Sequence, residues 1–460
     1  MEFRDLQQLK HDAAEFLDLG DAIQVKDRDG LARRFIEPLV RTAIFADDAA
    51  LRETARYLIR EIGACLGIRS ASIQSLYEAR GRGEVQGFTV PAMNIRGLTY
   101  DTARAAFRAA QTHRVGALVF EIARSEIGYT EQRPAEYAAA VMAAAIREGF
   151  QGPLFLQGDH FQINAAKYAR SADVELQAVK DLIQEAVEAR FLNIDIDTST
   201  LVDLSHPSVK KQQQVNYTLA AELTAVVRKH QPAGTCISVG GEIGEVGKKN
   251  STVPELETYM DGFLEELGKH GDLQGLSKIS VQTGTSHGGV PLPDGSVAEV
   301  KVDFEVLRQL SRVASERYGM AGAVQHGAST LPEDAFDHFP RIETAEIHLA
   351  TGFQNLTYDH PEFPEDLRQE VRDYCFDNLA GERKEDWTDA QFLYKTRKKA
   401  FGPLKRRMWE LPSSTRDAIG ATLEEQFALL FRKLAVVDSD AMVRRLVKPP
   451  VLPSSRPPGL

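Results

Sequence analysis

The spacing of apolar residues changes twice along the chain. Up to about residue 80 they recur every three or four positions, as in "LARRFIEPLVRTAIF" and "LRETARYLIREIGACL". That period predicts amphipathic helices in a charged N-terminal segment. A glycine-rich joint, "GRGEVQG" (81–87), ends this pattern. Beyond it come eight short apolar, β-branched runs: "FTVPAMN" (88–94), "GALVFEI" (116–122), "PLFLQGD" (153–159), "FLNIDID" (191–197), "TCISVGGE" (235–242), "KISVQTG" (278–284), "GAVQHG" (322–327) and "AEIHLA" (345–350). Helical patterns such as "YDTARAAFRAAQTH", "ELQAVKDLIQEAVEAR" and "VDFEVLRQLSRVASERYG" separate them. Strand and helix alternating eight times over roughly 250 residues predicts an α/β fold of the (β/α)8 TIM-barrel type. A doubly wound open sheet is the rival. It fits less well, because no glycine-rich dinucleotide fingerprint follows the first strand.

From about 361 the pattern turns helical and charged again, and the chain ends in the proline-rich "VKPPVLPSSRPPGL". The expected organisation is a helical N-terminal extension (1–84), the barrel (85–360), a helical C-terminal extension (361–447) and a tail (448–460) expected to be disordered.

Composition narrows the function classes. The 460 residues are 43% hydrophobic and 26% charged, ordinary for a globular protein. A net charge of −11 argues against general nucleic-acid binding, which needs a basic face. Cys65, Cys236 and Cys375 are odd in number and far apart, which fits a reducing compartment rather than a disulfide framework. The N-terminus is polar from the start and no stretch has the apolar length to span a bilayer, so the expectation is a cytoplasmic protein without a membrane partner.

In such a barrel the reaction site lies at the carboxyl ends of the strands. The third run ends in Asp159-His160, the fourth in Asp195 and Asp197, and the fifth in Glu242. The sixth leads into "TGTSHGG" with His287, the seventh into "QHGAST" with His326. Three imidazoles and several carboxylates on one rim suit a divalent metal such as zinc, with one position left open for substrate. Taken singly, each residue has a plainer reading. A histidine near a strand end is more often a satisfied polar residue, Asp197 could cap a turn, and Glu242 could pair with a barrel lysine or arginine. Their convergence on one rim favours the metal. The small residues in "SHGG" and "HGAS" would let backbone N–H groups approach a phosphate closely, though tight turns also explain them.

These stretches, in order, resemble the class II (metal-dependent) fructose-bisphosphate and tagatose-bisphosphate aldolases. The matching segments are "VPAMNIRGL", "FLQGDH", "IDTS", "GEIGEVG", "GTSHGG" and "VQHGASTLP", across roughly 85–355. The resemblance implies that His160, His287 and His326 hold a catalytic zinc. It implies Asp197 and Glu242 at a neighbouring second metal position, and Asp159 as the acid/base for the hydroxyl at the cleaved bond. Asn94, Gly288, Gly327, Ser329 and His348 would contact substrate or phosphate. The implied reaction cleaves a phosphorylated ketose to dihydroxyacetone phosphate and an aldehyde through a zinc-stabilised enediolate. The implied partners are a phosphorylated sugar and a second copy of the chain, in a homo-oligomer built on the helical extensions. A monovalent cation is compatible with it.

The sequence also departs from the family. Where an acidic loop would supply the carbanion base, it has "GEVGKKNSTVPELE", with Glu245 a stand-in beside Lys248 and Lys249. After the eighth strand "HLATG" replaces a polar stretch, and Ser125 only neighbours the position of an expected serine. In "RKKAFGPLK" (397–405) Arg397 is a candidate for a second phosphate. "FEIARSEIGYTEQRPAEY" is also similar to the non-catalytic partner subunit of tagatose-bisphosphate aldolases. Two alternatives therefore stand beside the aldolase: such a partner subunit, or a metal-dependent barrel lyase acting on a different sugar.

Overall fold

The computed structural model describes residues 2–244, 249–284, 291–293, 298 and 301–460. Eight parallel strands close into a barrel: β1 (Val90–Asn94), β2 (Val119–Ala123), β3 (Gly152–Gln162), β4 (Asn193–Asp197), β5 (Ser238–Glu242), β6 (Lys278–Val281), β7 (Ala323–Gln325) and β8 (Glu346–Leu349). Each pairs with its neighbours in sequence, and β8 pairs with β1 to complete the circle. All eight predicted runs are barrel strands.

Helices Thr99–Thr112, Pro134–Glu148, Ala172–Glu188, Val209–His230, Val253–Gly268 and Phe304–Tyr318 follow the first six strands. After β7 only a 3-10 turn (Glu333–Asp337) and one helical turn (His338–Arg341) fit the short connection. Helix Ser413–Lys433 packs on helix Thr99–Thr112 and closes the ring, and the Thr89 amide donates to the Leu434 carbonyl at 2.9 Å. The boundary expected at 360 therefore cuts through the ring, and 361–412 is an excursion made before its last helix. Helices Ile36–Phe45 and Ala49–Cys65 pack on helix Pro134–Glu148. The tail, expected to be disordered, instead lies against the N-terminal segment. Arg456 donates to the carbonyls of Gly20 and Leu19, both at 2.5 Å, and Lys10 donates to the Gly459 carbonyl at 2.8 Å. Among the described residues no helix is long and apolar enough to cross a membrane.

The barrel interior carries charge. Lys278, at the start of β6, is 1% exposed. Its ammonium donates to Gln157 Oε1 at 2.8 Å, Asp195 Oδ2 at 2.9 Å and Glu346 Oε1. Three donors thus meet three acceptors, which is what a buried ammonium requires. Gln157 also donates to Glu121 at 2.9 Å and Glu346 at 2.8 Å. From outside the strands, Tyr77 on helix Gln74–Gly81 reaches in to donate to the other oxygen of Glu346. Gly240 makes the space: a Cβ there would stand 2.3 Å from Asp195 Oδ1.

The end of β3 departs from a regular strand. Neighbouring residues of a strand face opposite sides, so Asp159 and His160 could not both face the barrel mouth. Against β4, Gly158 pairs with Ile194, and the next pair is Phe161 with Ile196. β3 has one residue more than β4 over that step, a bulge of the kind that re-aims side chains. His160 takes the strain, with φ of 39° in the left-handed region. The fully buried Phe161 folds back over Gly158, where a Cβ would lie 2.4 Å from its ring.

Two outcomes are expected. Lys278→Met leaves Asp195 and Glu346 buried without their counter-charge, and should cost about 3–5 kcal/mol in chemical denaturation. Gly158→Ala should force Phe161 and the bulge apart, losing roughly 1–3 kcal/mol.

Candidate active site

The bulge brings Asp159 and His160 to the rim, and β4, β5 and β7 bring the rest. His160 Nδ1 lies 2.9 Å from Asp197 Oδ2 and 3.3 Å from Glu242 Oε2. Its Nε2 lies 3.0 Å from His326 Nδ1, and His326 Nε2 is 2.9 Å from Ser280 Oγ. Asp197 is fixed by the Ser199 hydroxyl at 2.6 Å and the Gln162 amide at 2.5 Å. Ligand atoms of His160, Glu242 and His326 all lie within 4.8 Å of one another, as do those of Asp159, His326 and His348. Of the expected site residues, the structure therefore brings together Asp159, His160, Asp197, Glu242 and His326. His287, Gly288, Glu245 and Lys248 lie outside the described residues.

Negative charge predominates at this rim. Burial raises the carboxyl of Glu242, and the charge of Asp197 raises it further. Burial also pushes Asp197 up, but the His160 and Ser199 hydrogen bonds outweigh it and leave the carboxyl below its usual range. Burial pulls His160 down, yet the charges of Asp159 and Glu242 carry its imidazole well above the ordinary value. Glu121 is pushed up to about 7 by burial and by Asp159. A cluster that draws protons onto its histidine and one glutamate is short of positive charge. Its imidazole and carboxylate donors fit a divalent cation.

His348, expected among the phosphate contacts, turns into the barrel instead. Its Nε2 is 2.7 Å from Glu346 Oε1, and its Nδ1 is 3.1 Å from Glu121 and 3.2 Å from Asp159. Both ring nitrogens thus face carboxylates, while His348 also lines the cavity onto which the rim opens. The reason is strand alternation: His348 shares the inward face of β8 with Glu346.

The rim opens on a cavity of about 500 Å³ whose far wall is cationic, with Arg96, Arg124, Lys167 and Lys398 lining it. Arg96 is held by Glu126 at 2.7 Å and Gln354 at 2.8 Å. The Asn94 amide donates to the other oxygen of Glu126 at 2.5 Å. Arg124 donates to the Gln162 carbonyl at 2.6 Å and pairs with Glu175. Lys398 stands 5.6 Å from the Tyr129 ring centre and makes no carboxylate pair among the described residues. Burial, then the Arg96 charge, lowers its ammonium to about 8. The candidate Arg397 is engaged elsewhere, by Asp359 at 2.5 Å and Asn355 at 2.8 Å. Gly327, with φ of 68°, and Ser329 line the same cavity. Ser329 Oγ accepts the Ala350 amide at 2.7 Å. A larger, more apolar cavity of about 620 Å³ adjoins at Ser329 and Ala350, but none of the rim histidines or carboxylates lines it.

The sequence reading missed Glu121, Arg96, Glu126, Ser280 and Lys398. Glu121 had a signal, a lone carboxylate within the apolar run "GALVFEI". Lys398 had one too, the basic stretch "RKKAFGPLK", but that stretch pointed to the neighbouring Arg397.

The family described as Fructose-bisphosphate aldolase class-II matches residues 75–415. No curated protein sequence matches the chain. A solved structure described as a probable tagatose 6 phosphate kinase from Sinorhizobium meliloti 1021 is 18% identical. It superposes with a TM-score of 0.53, over 77% of this chain and 99% of that one. The fructose-bisphosphate aldolase of Campylobacter jejuni is 16% identical, with a TM-score of 0.48 over 81% and 96% of the two chains. The first likeness shows the same barrel fold. With a match over about three quarters of its length, the chain belongs to the class II fructose-bisphosphate aldolase family.

Proposed function

We propose that this chain is a divalent-metal-dependent aldolase that cleaves a phosphorylated ketose to dihydroxyacetone phosphate and an aldehyde, or joins them. The observation that carries the reading is the meeting of His160, Glu242 and His326, with His160, His326 and Asp159 lining a cavity that arginines and lysines also line. Its volume of about 500 Å³ is within the range of small-ligand sites.

His160 and His326 would hold the ion, with His287 as the third imidazole and Asp197 and Glu242 serving a neighbouring divalent position. Zinc suits this nitrogen-rich set. Bound there, the ion supplies Lewis-acid stabilisation of the negative charge that develops on substrate oxygens. Asp159 takes the proton of the hydroxyl at the bond being cleaved and returns it in the condensation direction. His348 keeps that carboxylate aimed at the mouth. Glu121, pushed up to about 7 by burial and by Asp159, shares the His348 ring with Asp159. Arg96 and Lys398 receive the anionic end of the sugar, and Asn94 holds Glu126 so that Arg96 keeps its place.

The purified chain should carry about one tightly held divalent ion and cleave at least one ketose phosphate in a coupled assay over several such sugars. Chelation should abolish turnover, and His326→Ala should reduce it by at least a hundredfold. A metal-free chain with no chelator-sensitive cleavage would refute the reading. Metal binding without turnover in the isolated chain would favour a barrel that serves a catalytic partner.

Lys398 adds a pH dependence. Its amine is an ammonium below about 8 and neutral above, so its grip on an anion is present at pH 7 and lost as pH rises through 8. A phosphate is already a dianion across that window. For a phosphorylated substrate kcat/KM should fall on that limb, and Lys398→Met should flatten the profile and raise KM roughly tenfold to a hundredfold. Lys398→Arg should keep binding and remove the limb.

A further inference from the structure

A second concentration of positive charge lies away from the active site, against the opposite end of the barrel. Helix Ala49–Cys65, the strand Ile68–Ser70 and tail residues 450–454 enclose a cavity of about 280 Å³. The strand pairs with the start of β3, Arg69 opposite Pro153, far from the bulge at its other end. Arg60, Arg69 and Arg190 all line this cavity, and Glu61 is the one carboxylate among its described lining residues. Arg190 donates to the Pro453 carbonyl of the tail. Among the described residues the side chains of Arg60 and Arg69 have no hydrogen bond or ion pair, and none of the three guanidinium groups has a carboxylate within 4 Å.

That arrangement is unusual for this chain. Its net charge is −11, so carboxylates are in surplus. Other half-buried arginines take them: Arg104 pairs with Glu148 at 2.6 Å, and Arg416 with Glu37 at 2.8 Å and Asp101 at 3.0 Å. At the tail cavity, burial holds the guanidinium of Arg60 below its usual range. Glu53 and then Glu61 offset part of the effect at Arg60. Burial and the Arg60 charge likewise lower Arg190, with Glu61 offsetting part of it. Guanidinium cannot escape by losing its proton. Three of them around a partly enclosed space, with Ser70 and Ser454 as further donors, form a receptor for an oxyanion.

We propose that this cavity binds a phosphate-class oxyanion, free or as the phosphate of a small metabolite, with Arg60, Arg69 and Arg190 as its counter-charges. About 280 Å³ admits a phosphate with a short body and excludes a nucleotide. Because the tail forms one wall, the anion also holds residues 450–454 in place.

The test is calorimetry on the full chain with inorganic phosphate and, separately, glycerol phosphate. Lys398→Met is included to remove the contribution of the active-site cavity, so this site and the proposed reaction fail independently. Binding should persist in Lys398→Met and after chelation, and should weaken at least tenfold in Arg60→Gln and in Arg190→Gln. Hydrogen exchange of residues 448–460 should slow when phosphate is added. Tighter binding of glycerol phosphate than of phosphate would identify an organic phosphate as the ligand, and equal binding the free anion. Arg69→Gln removes no side-chain hydrogen bond or ion pair of the fold, and Ser454→Asp places a carboxylate in the cavity. Both should weaken binding even if the other variants fail to fold. Phosphate binding that is unchanged in all of these variants, or lost with Lys398→Met alone, would overturn the proposal.

Discussion

The molecule depends on one buried ammonium. A closed eight-stranded barrel has a narrow interior, and most chains fill it with aliphatic side chains. Here Glu121, Gln157, Asp195 and Glu346 occupy it, and Lys278 is the lysine that makes their burial tolerable. Taking these carboxylates out of water costs far more than any single packing contact returns, so their arrangement must be mutually satisfied. That demand spreads outward. Gly240 must lack a side chain, and helix Gln74–Gly81 must dock so that Tyr77 completes Glu346. Arg80 on the same helix is tied to the carbonyls of Phe88, Ala321 and Thr344 at the foot of the barrel. The end of the N-terminal extension is thus part of the barrel core.

The same network runs upward into the site. Glu346 holds His348, and His348 stands against Asp159. The carboxylate proposed to move the substrate proton is positioned by a chain of hydrogen bonds and charges that begins at the Tyr77 hydroxyl, on the opposite end of the barrel. Core and site are therefore one electrostatic object, and the strain at His160 is supported by it. A residue with positive φ at the end of a strand persists only where its surroundings over-determine it. Asp197, Glu242 and His326 around the His160 ring do so.

The fold was legible because strand and helix periods alternate plainly, and the rim was legible because strand ends are where barrels place chemistry. Asp159, His160, Asp197, Glu242 and His326 could be assembled from those two facts. The interior could not. Lys278 meets Glu346 across 68 residues of chain, and Gln157 meets the same carboxylate across 189. No local pattern distinguishes such partners from polar residues that face solvent. "AEIHLA" did hold the information that Glu346 and His348 share a face, yet comparing "HLATG" with the family's stretch after the eighth strand suggested a substrate contact for His348, which lies within β8. "RKKAFGPLK" pointed to Arg397, but in the short 3-10 segment Arg397–Phe401 it is the next residue, Lys398, that lines the cavity, and composition does not set that phase.

The two poles of the cavity follow from unequal neutralisation. At the histidine rim carboxylates outnumber cations, so that end attracts a metal ion or protons. On the far wall Glu126 and Glu175 neutralise Arg96 and Arg124, while Lys398 is left without a carboxylate. A ligand that is neutral and rich in oxygen at one end and anionic at the other satisfies both poles at once. A ligand without the anion leaves a buried ammonium uncompensated, at a cost comparable to losing a charged hydrogen bond. In the proposed reaction, selectivity for an anionic substrate would come less from a tight grip than from the penalty of leaving Lys398 alone. That penalty weakens as the amine loses its proton.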